Sequence, residues 1–537
     1  MLTQSEPCAA PRGGLLPVST RVMNLATFLT QSARRLGDEI GLVWGDDVWT
    51  WGEIEARVAA MAAALAARGV RKGDRVLVQS KNCNQMFESM FACFRLGAVW
   101  VPTNFRQTPA EVAYLASASG ATALVCHADF PDHAAEALAA APIATAISIG
   151  PSTFGESYDD LVAAHRATPA PTAPVDRDDP AWFFFTSGTT GRPKAAVLTH
   201  GQMAFVVTNH LCDLMPGTTH RDASLVVAPL SHGAGIHQLA QVAHGAKTVI
   251  PGAARFDVAE AWQLVERWRV TNMFTVPTIV KMLTEHPAVA RHDHSSLRYV
   301  IYAGAPMYRE DQKHALAVLG PCLVQYFGLG EVTGNITVLP PDLHRLEDGP
   351  DARVGTCGYP RTGMEVEIQD DAGRPLPAGE TGEICVTGPA VFAGYYDNEE
   401  ANRKAFRNGF FRTGDLGHLD AEGFLYITGR ASDMYISGGS NVYPREIEEK
   451  ALTHPAIDEI AIVGVPDARW GEVGVAVCVL KAGASLEADA LVDFLKDKVS
   501  AYKLPRRVEF WEALPKSGYG KITKKAIREE LAARGAI

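Results

Sequence analysis

The chain has 537 residues, a length that predicts two to four domains at roughly 100–200 residues per domain. Hydrophobic residues make up 47% of the sequence and charged residues 21%, a balance that excludes a wholly disordered protein. Its net charge of −11, from 50 basic and 61 acidic side chains, argues against a protein that coats nucleic acid or adheres to an acidic membrane surface.

The cysteine pattern and the N-terminus predict where the protein works. Nine cysteines are scattered along the chain without the CxxC spacing of a zinc or redox site, so reduced thiols in the cytoplasm are the simplest interpretation. Residues 1–20 are expected to form a flexible tail, and they lack the basic start and apolar block of a signal peptide. No apolar run reaches the roughly 18 residues that a membrane span requires. We therefore expect a cytoplasmic protein with no membrane span.

From about residue 70, short apolar runs alternate with stretches of helical pattern. Helices are expected over 82–96 and 108–117, the second capped by Thr108 with Pro109 at its first position. The expected strands are 76–79, 98–101, 121–125, 224–228, 247–250, 271–276, 298–302 and 323–327. This alternation predicts an α/β fold of layered, largely parallel sheets.

The texture changes after about residue 350, where glycine and proline become frequent and the strands shorten. That pattern is typical of hairpins or a small barrel-like β part. Strands at 461–465 and 475–480 and a helix near 487–499 then suffice for a small α+β domain. The sequence thus predicts a large domain over 21–431 and a smaller C-terminal domain over 432–537.

The most informative segment is 182–194, WFFFTSGTTGRPK. An apolar run typical of a buried strand leads into a loop of glycines and hydroxyl residues, followed by two cations. Glycine allows backbone N–H groups to approach a phosphate closely, and serine and threonine hydroxyls add further donors. The pattern departs from a Walker loop, in which glycine directly precedes the lysine, because Pro193 stands there. The segment predicts a polyphosphate-binding loop.

The stretch TSGTTGRPK resembles the phosphate loop of the adenylate-forming superfamily, which contains acyl-CoA synthetases, nonribosomal adenylation domains and firefly luciferase. Other segments resemble that family in the same order, from about residue 25 to about residue 530. Its members join a carboxylic acid to the α-phosphate of ATP, release pyrophosphate and pass the acyl group to a thiol. The resemblance implies ATP, Mg²⁺ and coenzyme A as cofactors, and a mobile C-terminal domain that rotates about a hinge at Ser432, where relatives commonly carry Asp or Lys.

The resemblance also implies which residues bind ATP. The phosphates would be bound by Thr186, Ser187, Gly188, Thr189, Thr190 and Lys194. The adenine and ribose would be bound by Gly304, Ala305, Pro306, Phe327, Gly328, Asp415 and Arg430. Phe327 would stack on the adenine, and the Asp415 carboxylate suits both ribose hydroxyls because it accepts two hydrogen bonds.

Three residues are expected to take part in the chemistry itself. Glu331 would hold Mg²⁺, a hard cation that prefers carboxylate and phosphate oxygens. Lys521 would bridge the acid and the α-phosphate, and His232 would act as a gate between the ATP and acyl pockets. Gly330 replaces a threonine of the family's pattern. Either water replaces the missing hydroxyl, or the missing side chain leaves more room for the acid.

Coenzyme A is expected to lie along the segment Ser437, Gly438 and Gly439, whose glycines suit a narrow pantetheine tunnel. Trp470 matches a tryptophan that stacks on the CoA adenine in benzoate-type ligases, and Arg106 matches an arginine that meets a CoA phosphate there. Each has an alternative interpretation, Trp470 as an anchor in a turn and Arg106 as a cation at the start of a helix.

The substrate is the least specified part of the hypothesis. Small residues near the expected acyl pocket predict room for an acid bulkier than acetate; they are Ser231, Gly233, Ala234, Gly235 and Gly330. An aromatic or cyclic acid is favoured slightly over a medium-chain acid. The alternatives are adenylation for a separate carrier protein or an amine, and a catalytically weakened nucleotide- or acyl-binding protein. A homodimer is one candidate assembly.

Lys521→Ala is predicted to abolish formation of the acyl-adenylate, because the transition state loses a charge on the α-phosphate. The attack of coenzyme A on supplied acyl-AMP should remain nearly intact, because the lysine is expected to leave the site for that step. The two half-reactions are measured separately, by pyrophosphate release and by consumption of synthetic acyl-AMP. Equal loss of both would contradict a lysine that serves one step only.

Overall fold

A computed structural model describes residues 19–186, 192–253, 255–305, 307–349, 352–437, 440–467, 469–516 and 522–535. The chain forms two compact units. The first unit comprises the chain up to Phe274 together with Gly330–Thr333 and Pro389–Glu399, and the second comprises Thr275–Leu329, Gly334–Gly388 and the chain from Glu400 onward. The expected domain boundary at 431/432 stays a prediction.

One sheet of the first unit positions the phosphate-loop segment. Its strands are, in spatial order, Glu156–Ser157, Thr145–Ile149, Ala123–His127, Arg75–Gln79, Val99–Pro102, Pro180–Thr186 and Lys194–Thr199. All neighbours are parallel except the last pair, which is an antiparallel hairpin. The connecting helices are Asn84–Leu96, Pro109–Ser119, Pro131–Ala140 and Tyr158–His165. Parallel strands with helical crossovers are the arrangement that the alternating pattern predicts.

A second set of strands in this unit lies in the order Asn272–Thr275, Ala223–Val226, Lys247–Ile250, Ile40–Trp44 and Asp47–Thr50. Only the last pair is antiparallel. The remaining helices of the unit are Ala26–Leu36, Trp51–Ala67, His200–Asn209 with the π-turn His210–Leu214, Gly233–His244 and Val258–Trp268. The predicted cap at Thr108 is present as a capping box with Glu111, which satisfies donors at the start of the helix.

The second unit carries three groups of strands. The first is Tyr299–Tyr302, Leu323–Phe327, Thr337–Leu339 and Tyr359–Pro360. An antiparallel group contains Glu365–Gln369, Gly382–Thr387, Phe406–Arg407, Phe410–Leu419 and Leu425–Arg430. A C-terminal group contains Tyr435–Ser437, Ser440–Val442, Ile457–Asp467, Gly471–Leu480 and Arg507–Phe510.

The helices of the second unit are Pro277–Glu285, Arg309–Leu319, Pro444–Ala451, Ala488–Lys496 and Lys524–Ala533, and Glu399–Ala405 starts at the unit boundary. Short 3₁₀ turns are Pro287–Arg291, Gly330–Val332, Pro341–Leu343 and Ala501–Lys503. The predicted α/β class is confirmed, and so are the strands and helices expected from the apolar pattern. Among the described residues, no helix is both long and apolar enough to cross a membrane.

The strand Pro180–Thr186 is buried on both faces, as its unbroken aromatic run predicts for a central parallel strand. Trp182 meets Trp100 edge to face, with ring centroids 4.5 Å apart. Phe183 packs on Tyr396 at 4.7 Å. These contacts hold the strand that ends at Thr186 in place within the first unit.

A buried ion pair ties the long helix Trp51–Ala67 to the helix Asn84–Leu96. Arg57 donates to both oxygens of the Glu88 carboxylate, at 2.6 and 3.1 Å, and the Glu88 side chain is fully buried. Asn84 donates a further hydrogen bond to Glu88 at 3.0 Å. A buried carboxylate is tolerated when its oxygens are satisfied in this way.

Arg57→Ala is predicted to destabilise the protein by about 3–5 kcal/mol, because it leaves the Glu88 charge buried without its partner. The matched control is Lys404→Ala, which breaks an exposed pair with Glu400 on one helix face and should cost about 0.5 kcal/mol or less. Urea unfolding followed by tryptophan fluorescence measures both. Equal losses for the two variants would contradict a stabilising role for the buried pair.

Candidate active site

The phosphate-loop segment leaves and re-enters the sheet at two directly opposed residues. Thr186 ends one strand and Lys194 begins the next, and the two are paired across the hairpin. Ser187, Gly188, Thr189 and Thr190 lie outside the described residues. The antiparallel register therefore places the hydroxyl residue and the lysine at the two ends of the predicted phosphate loop.

The Glu331 carboxylate accepts two side-chain hydrogen bonds within the first unit. Thr186 Oγ1 donates to Glu331 Oε1 at 2.8 Å, and Tyr395 Oη donates to the same oxygen at 2.9 Å. The Glu331 residue is 5% exposed. Among the described residues, no donor contacts Oε2. A carboxylate oxygen is the type of ligand that Mg²⁺ prefers, so Glu331 has the chemistry expected of the predicted metal ligand.

The sequence pattern did not point to Tyr395. Its only signal is a tyrosine pair beside a glycine, AGYYDN, which carries no specific chemistry. Burial and the charge of Glu331 raise the pKa of the Tyr395 phenol far above its usual range. The phenol therefore stays protonated and can donate to the carboxylate at any physiological pH. Lys194 Nζ lies 5.1 Å from the centroid of the Tyr395 ring, within the range of a cation–π contact.

An open cavity of about 420 Å³ adjoins this cluster. Its lining includes the cations Arg192 and Lys194 and the ring of Tyr396. The Arg192 guanidinium lies over the Tyr114 ring at 5.3 Å, and Tyr114 donates to the Pro193 carbonyl at 3.0 Å. The carboxylate of Asp397 also lines the cavity, and the two cations suit an anionic ligand such as a phosphate chain.

His232 stands at the start of the helix Gly233–His244, beside the same strand. Its ring lies 4.8 Å from the Phe184 ring. The preceding loop is held by Asn82, which donates to the Ala228 carbonyl and accepts from the Leu230 N–H, both at 2.9 Å. His232 thus lies in the first unit with Thr186 and Glu331. The Phe184 ring that it contacts lies two residues before Thr186 on the same strand.

Three of the small residues are closely packed on the side where a Cβ would lie. A Cβ at Gly233 would lie 2.6 Å from the Phe274 ring, and one at Gly235 would lie 2.0 Å from the Leu230 carbonyl oxygen and 2.9 Å from the Trp182 ring. One at Gly330 would lie 2.6 Å from the Phe184 ring. The expected room for an acid bulkier than acetate stays a prediction.

The nucleotide residues expected in the second unit lie at strand ends. Phe327 ends the strand Leu323–Phe327 and is half-buried. Gly328 follows it, and a Cβ there would lie 2.4 Å from the Gly334 backbone, so only glycine fits. Gly304 adopts a φ of +81°, a conformation that favours glycine, and both it and Ala305 are exposed. Pro306 lies outside the described residues.

Asp415 and Arg430 face each other across two antiparallel strands. Their backbones are in register, and Arg430 Nε donates to Asp415 Oδ1 at 3.0 Å. Asp415 is buried, whereas the Arg430 side chain is half-exposed. The structure thus brings together two residues that the sequence assigned to the ribose and phosphate.

The expected coenzyme A residues fall in two places. Ser437 pairs with Gly471, and Trp470 lies in the turn directly before that residue. Trp470 is 38% exposed, and the Arg506 guanidinium lies over its ring at 5.6 Å. Arg106 is exposed in the first unit. Gly438, Gly439 and Lys521 lie outside the described residues.

Residues 29–396 match the model of the AMP-binding enzyme family, and residues 446–521 match that of the AMP-binding enzyme C-terminal domain. The chain belongs to the AMP-binding enzyme family. The predicted resemblance to adenylate-forming enzymes is thereby confirmed over most of the chain.

Members of the AMP-binding family with this chain's length use different acyl acceptors. The chain is 36% identical to a feruloyl-CoA synthase from an Amycolatopsis species, over 95% of this chain and 99% of that one. It is 32% identical to the fatty acid–[acyl-carrier-protein] ligase ScoC of Streptomyces coeruleorubidus, over 89% and 91%. The solved amide bond synthetase McbA of Marinactinospora thermotolerans superposes with a TM-score of 0.85 at 28% identity, over 94% and 99%.

Glu331→Gln is predicted to lower the rate of pyrophosphate release by about 10²–10³-fold, the usual cost of losing one preorganised charge contact. The amide keeps the shape and can still accept from Thr186 and Tyr395, but it lacks the negative charge that a cation requires. The concentration of Mg²⁺ needed for half-maximal rate should rise as well.

Glu380→Gln is the matched control, because this glutamate is exposed and lies outside the cluster. Its rate and Mg²⁺ requirement should equal those of the unaltered enzyme. A Glu331→Gln enzyme with an unchanged Mg²⁺ requirement would remove Glu331 from the metal site.

Proposed function

We propose that this chain is an AMP-forming acyl-CoA synthetase, which activates a carboxylic acid as acyl-AMP and then transfers the acyl group to coenzyme A. The observation that carries the proposal is the buried Glu331 carboxylate, clamped through one oxygen by Thr186 and Tyr395. Its partner Thr186 is the last residue of the strand that leads into the phosphate-loop segment. Membership of the AMP-binding family supports the same chemistry.

In the first half-reaction, a carboxylate oxygen of the acid attacks the α-phosphorus of ATP. The bond from this phosphorus to the oxygen bridging to the β-phosphate breaks, and pyrophosphate leaves. Such a transfer depends on positioning and on positive charge beside the phosphates. Arg192 and Lys194 would supply charge from the cavity wall. Mg²⁺, bound through Glu331 Oε2, would neutralise charge on the phosphate oxygens.

Several proposed contacts involve residues outside the described part of the chain. Lys521 would place its ammonium on the acid and the α-phosphate during this step, as its glycine-flanked loop PKSGYGK predicts. Ser187, Gly188, Thr189 and Thr190 would donate to the phosphates.

In the second unit, Phe327, Gly304 and Ala305 would bind the adenine, and the Asp415 carboxylate would accept hydrogen bonds from both ribose hydroxyls.

In the second half-reaction, the sulfur of coenzyme A attacks the acyl carbon. The bond between this carbon and the AMP oxygen breaks, and AMP leaves with the oxygen. A thiol with a pKa of about 8.5 is partly ionised at neutral pH, so the step needs no dedicated base. We propose that His232 gates the passage between the nucleotide and the acid, with Ser432 as the hinge between the two half-reactions.

Coenzyme A is proposed as the acceptor in preference to a carrier protein or an amine. Trp470 presents an exposed ring with Arg506 beside it, which suits an adenine carrying a 3′-phosphate. Ser437 pairs with Gly471, the residue after Trp470. Arg106 would meet a further phosphate of the cofactor. The feruloyl-CoA synthase that resembles this chain supports the same acceptor.

The proposed acid is aromatic or cyclic, with a medium-chain acid as the second candidate. The similarity to a feruloyl-CoA synthase favours the first, and that to a fatty-acid ligase favours the second. Cytoplasmic action is proposed because none of the eight described cysteines takes part in a disulfide. A homodimer stays a prediction.

A panel of aryl, cyclic, branched and straight-chain acids, incubated with ATP and Mg²⁺, tests the function by release of pyrophosphate. Aryl acids such as hydroxycinnamates are predicted to react best, and product formation should saturate with free coenzyme A. Turnover that needs a carrier protein or an amine instead would overturn the choice of acceptor.

Trp470→Ala is predicted to raise the KM for coenzyme A by roughly 5- to 100-fold, the cost of one aromatic–base stack, with the KM for ATP unchanged. Tyr359→Ala is the matched control, because it removes an aromatic ring of equal exposure outside the proposed site. An unchanged KM for coenzyme A in the Trp470 variant would remove this residue from the binding site.

A further inference from the structure

The missing side chain at Gly330 is matched by a side chain of another strand. A Cβ at residue 330 would lie 2.6 Å from both Cδ1 and Cε1 of Phe184, and 2.9 Å from Thr186 Cγ2. Real Cβ atoms do not approach ring or methyl carbons so closely. The Phe184 ring therefore fills the volume that the family's usual threonine would need.

Glycine is required at residue 330 by space and not by backbone conformation. Its φ lies outside the positive range, so an alanine could adopt the same backbone without strain. The residue lies in the 3₁₀ turn Gly330–Val332, directly before the buried Glu331. Any side chain here would press on both Phe184 and Thr186, because neither the strand nor the turn has free volume to yield.

The Phe184 ring also contacts His232, the proposed gate residue. It is buried, lies 4.8 Å from the His232 ring at 55°, and packs on Trp182 at 5.9 Å. Phe184 and Thr186 are two residues apart on one strand, so their side chains share a face of the sheet. One face thus supports the His232 ring through Phe184 and the Glu331 carboxylate through Thr186.

We propose that Phe184 is a positioning residue for His232, and that Gly330 keeps its place because the Phe184 ring occupies the volume beside it. The inference rests on the proposed function, because it assigns the purpose of that packing to the gate. An aromatic wall replaces a hydroxyl at this point of the adenylation site. Packing on the Phe184 ring then helps to orient His232, together with Ser231 Oγ, which lies 3.4 Å from His232 Nδ1.

A double-mutant cycle tests the inference. Gly330→Ala alone is predicted to lower kcat/KM for the acid by about 10-fold or more, with a smaller change in the KM for ATP, because the displaced ring moves His232 and Thr186. Phe184→Leu alone should raise the KM for the acid a few-fold, because the His232 ring loses the aromatic ring against which it packs. In the double variant the smaller leucine makes room for the alanine methyl group, so activity should return to that of Phe184→Leu.

Gly349→Ala is the matched control, because a Cβ there would meet no atom within 4 Å. It should leave all constants unchanged. Pyrophosphate burst titration counts the folded active sites, so a loss of folded protein is separated from a change in KM. Losses that multiply in the double variant, or a Gly330→Ala enzyme as active as the unaltered one, would overturn the inference.

A failed function and a failed inference give different results. An unaltered enzyme that releases no pyrophosphate with any acid contradicts the proposed function alone. The packing is then read by thermal melting, in which Gly330→Ala should lower Tm and Phe184→Leu should remove that decrement in the double variant. Additive shifts in Tm would contradict the packing itself.

Discussion

The proposed adenylation site depends on one buried carboxylate, that of Glu331. Burying an ionised carboxylate is costly unless its oxygens find donors. Two hydroxyl groups satisfy one oxygen, from residues 145 positions before and 64 positions after Glu331 in the chain. Backbone contacts fix the same segments, since Phe392 N–H donates to the Glu331 carbonyl at 2.8 Å. Both donors are uncharged hydroxyl groups, so they do not neutralise the negative charge that the proposed Mg²⁺ ligand needs.

The aromatic strand that ends at Thr186 gives this site its rigidity. Its rings pack against glycines on neighbouring segments, with Trp182 on Gly235 and Phe184 on Gly330. Close packing of this kind leaves no slack, so a shift of one side chain is passed to its neighbours. The same strand therefore places His232, Thr186 and Glu331 in fixed relation, which adenylation requires because it proceeds through charge placement and not through a covalent enzyme intermediate.

Much of this arrangement could be predicted from the sequence, since the strands and helices follow apolar periodicity and the phosphate-loop segment has a characteristic composition. Asp415 and Arg430 were also predicted, and they meet in register. Tyr395 was missed because a tyrosine donor to a distant carboxylate leaves no local pattern. The close packing at Gly233, Gly235 and Gly330 could not be predicted, because the rings that they contact lie far away in sequence and only the fold brings them together. The packing of a site is thus harder to predict from the sequence than its chemistry.

In the proposed reaction, the acid is activated through a bond to the α-phosphorus of ATP. Its most direct test is the fate of ¹⁸O in a carboxyl-labelled acid that the enzyme accepts, followed through complete turnover with coenzyme A and read by mass spectrometry of the nucleotide. This reaction should give one ¹⁸O atom in AMP, since the attacking oxygen stays on phosphorus when the thiol takes the acyl group. Label found in inorganic phosphate alongside ADP, with none in AMP, would contradict it.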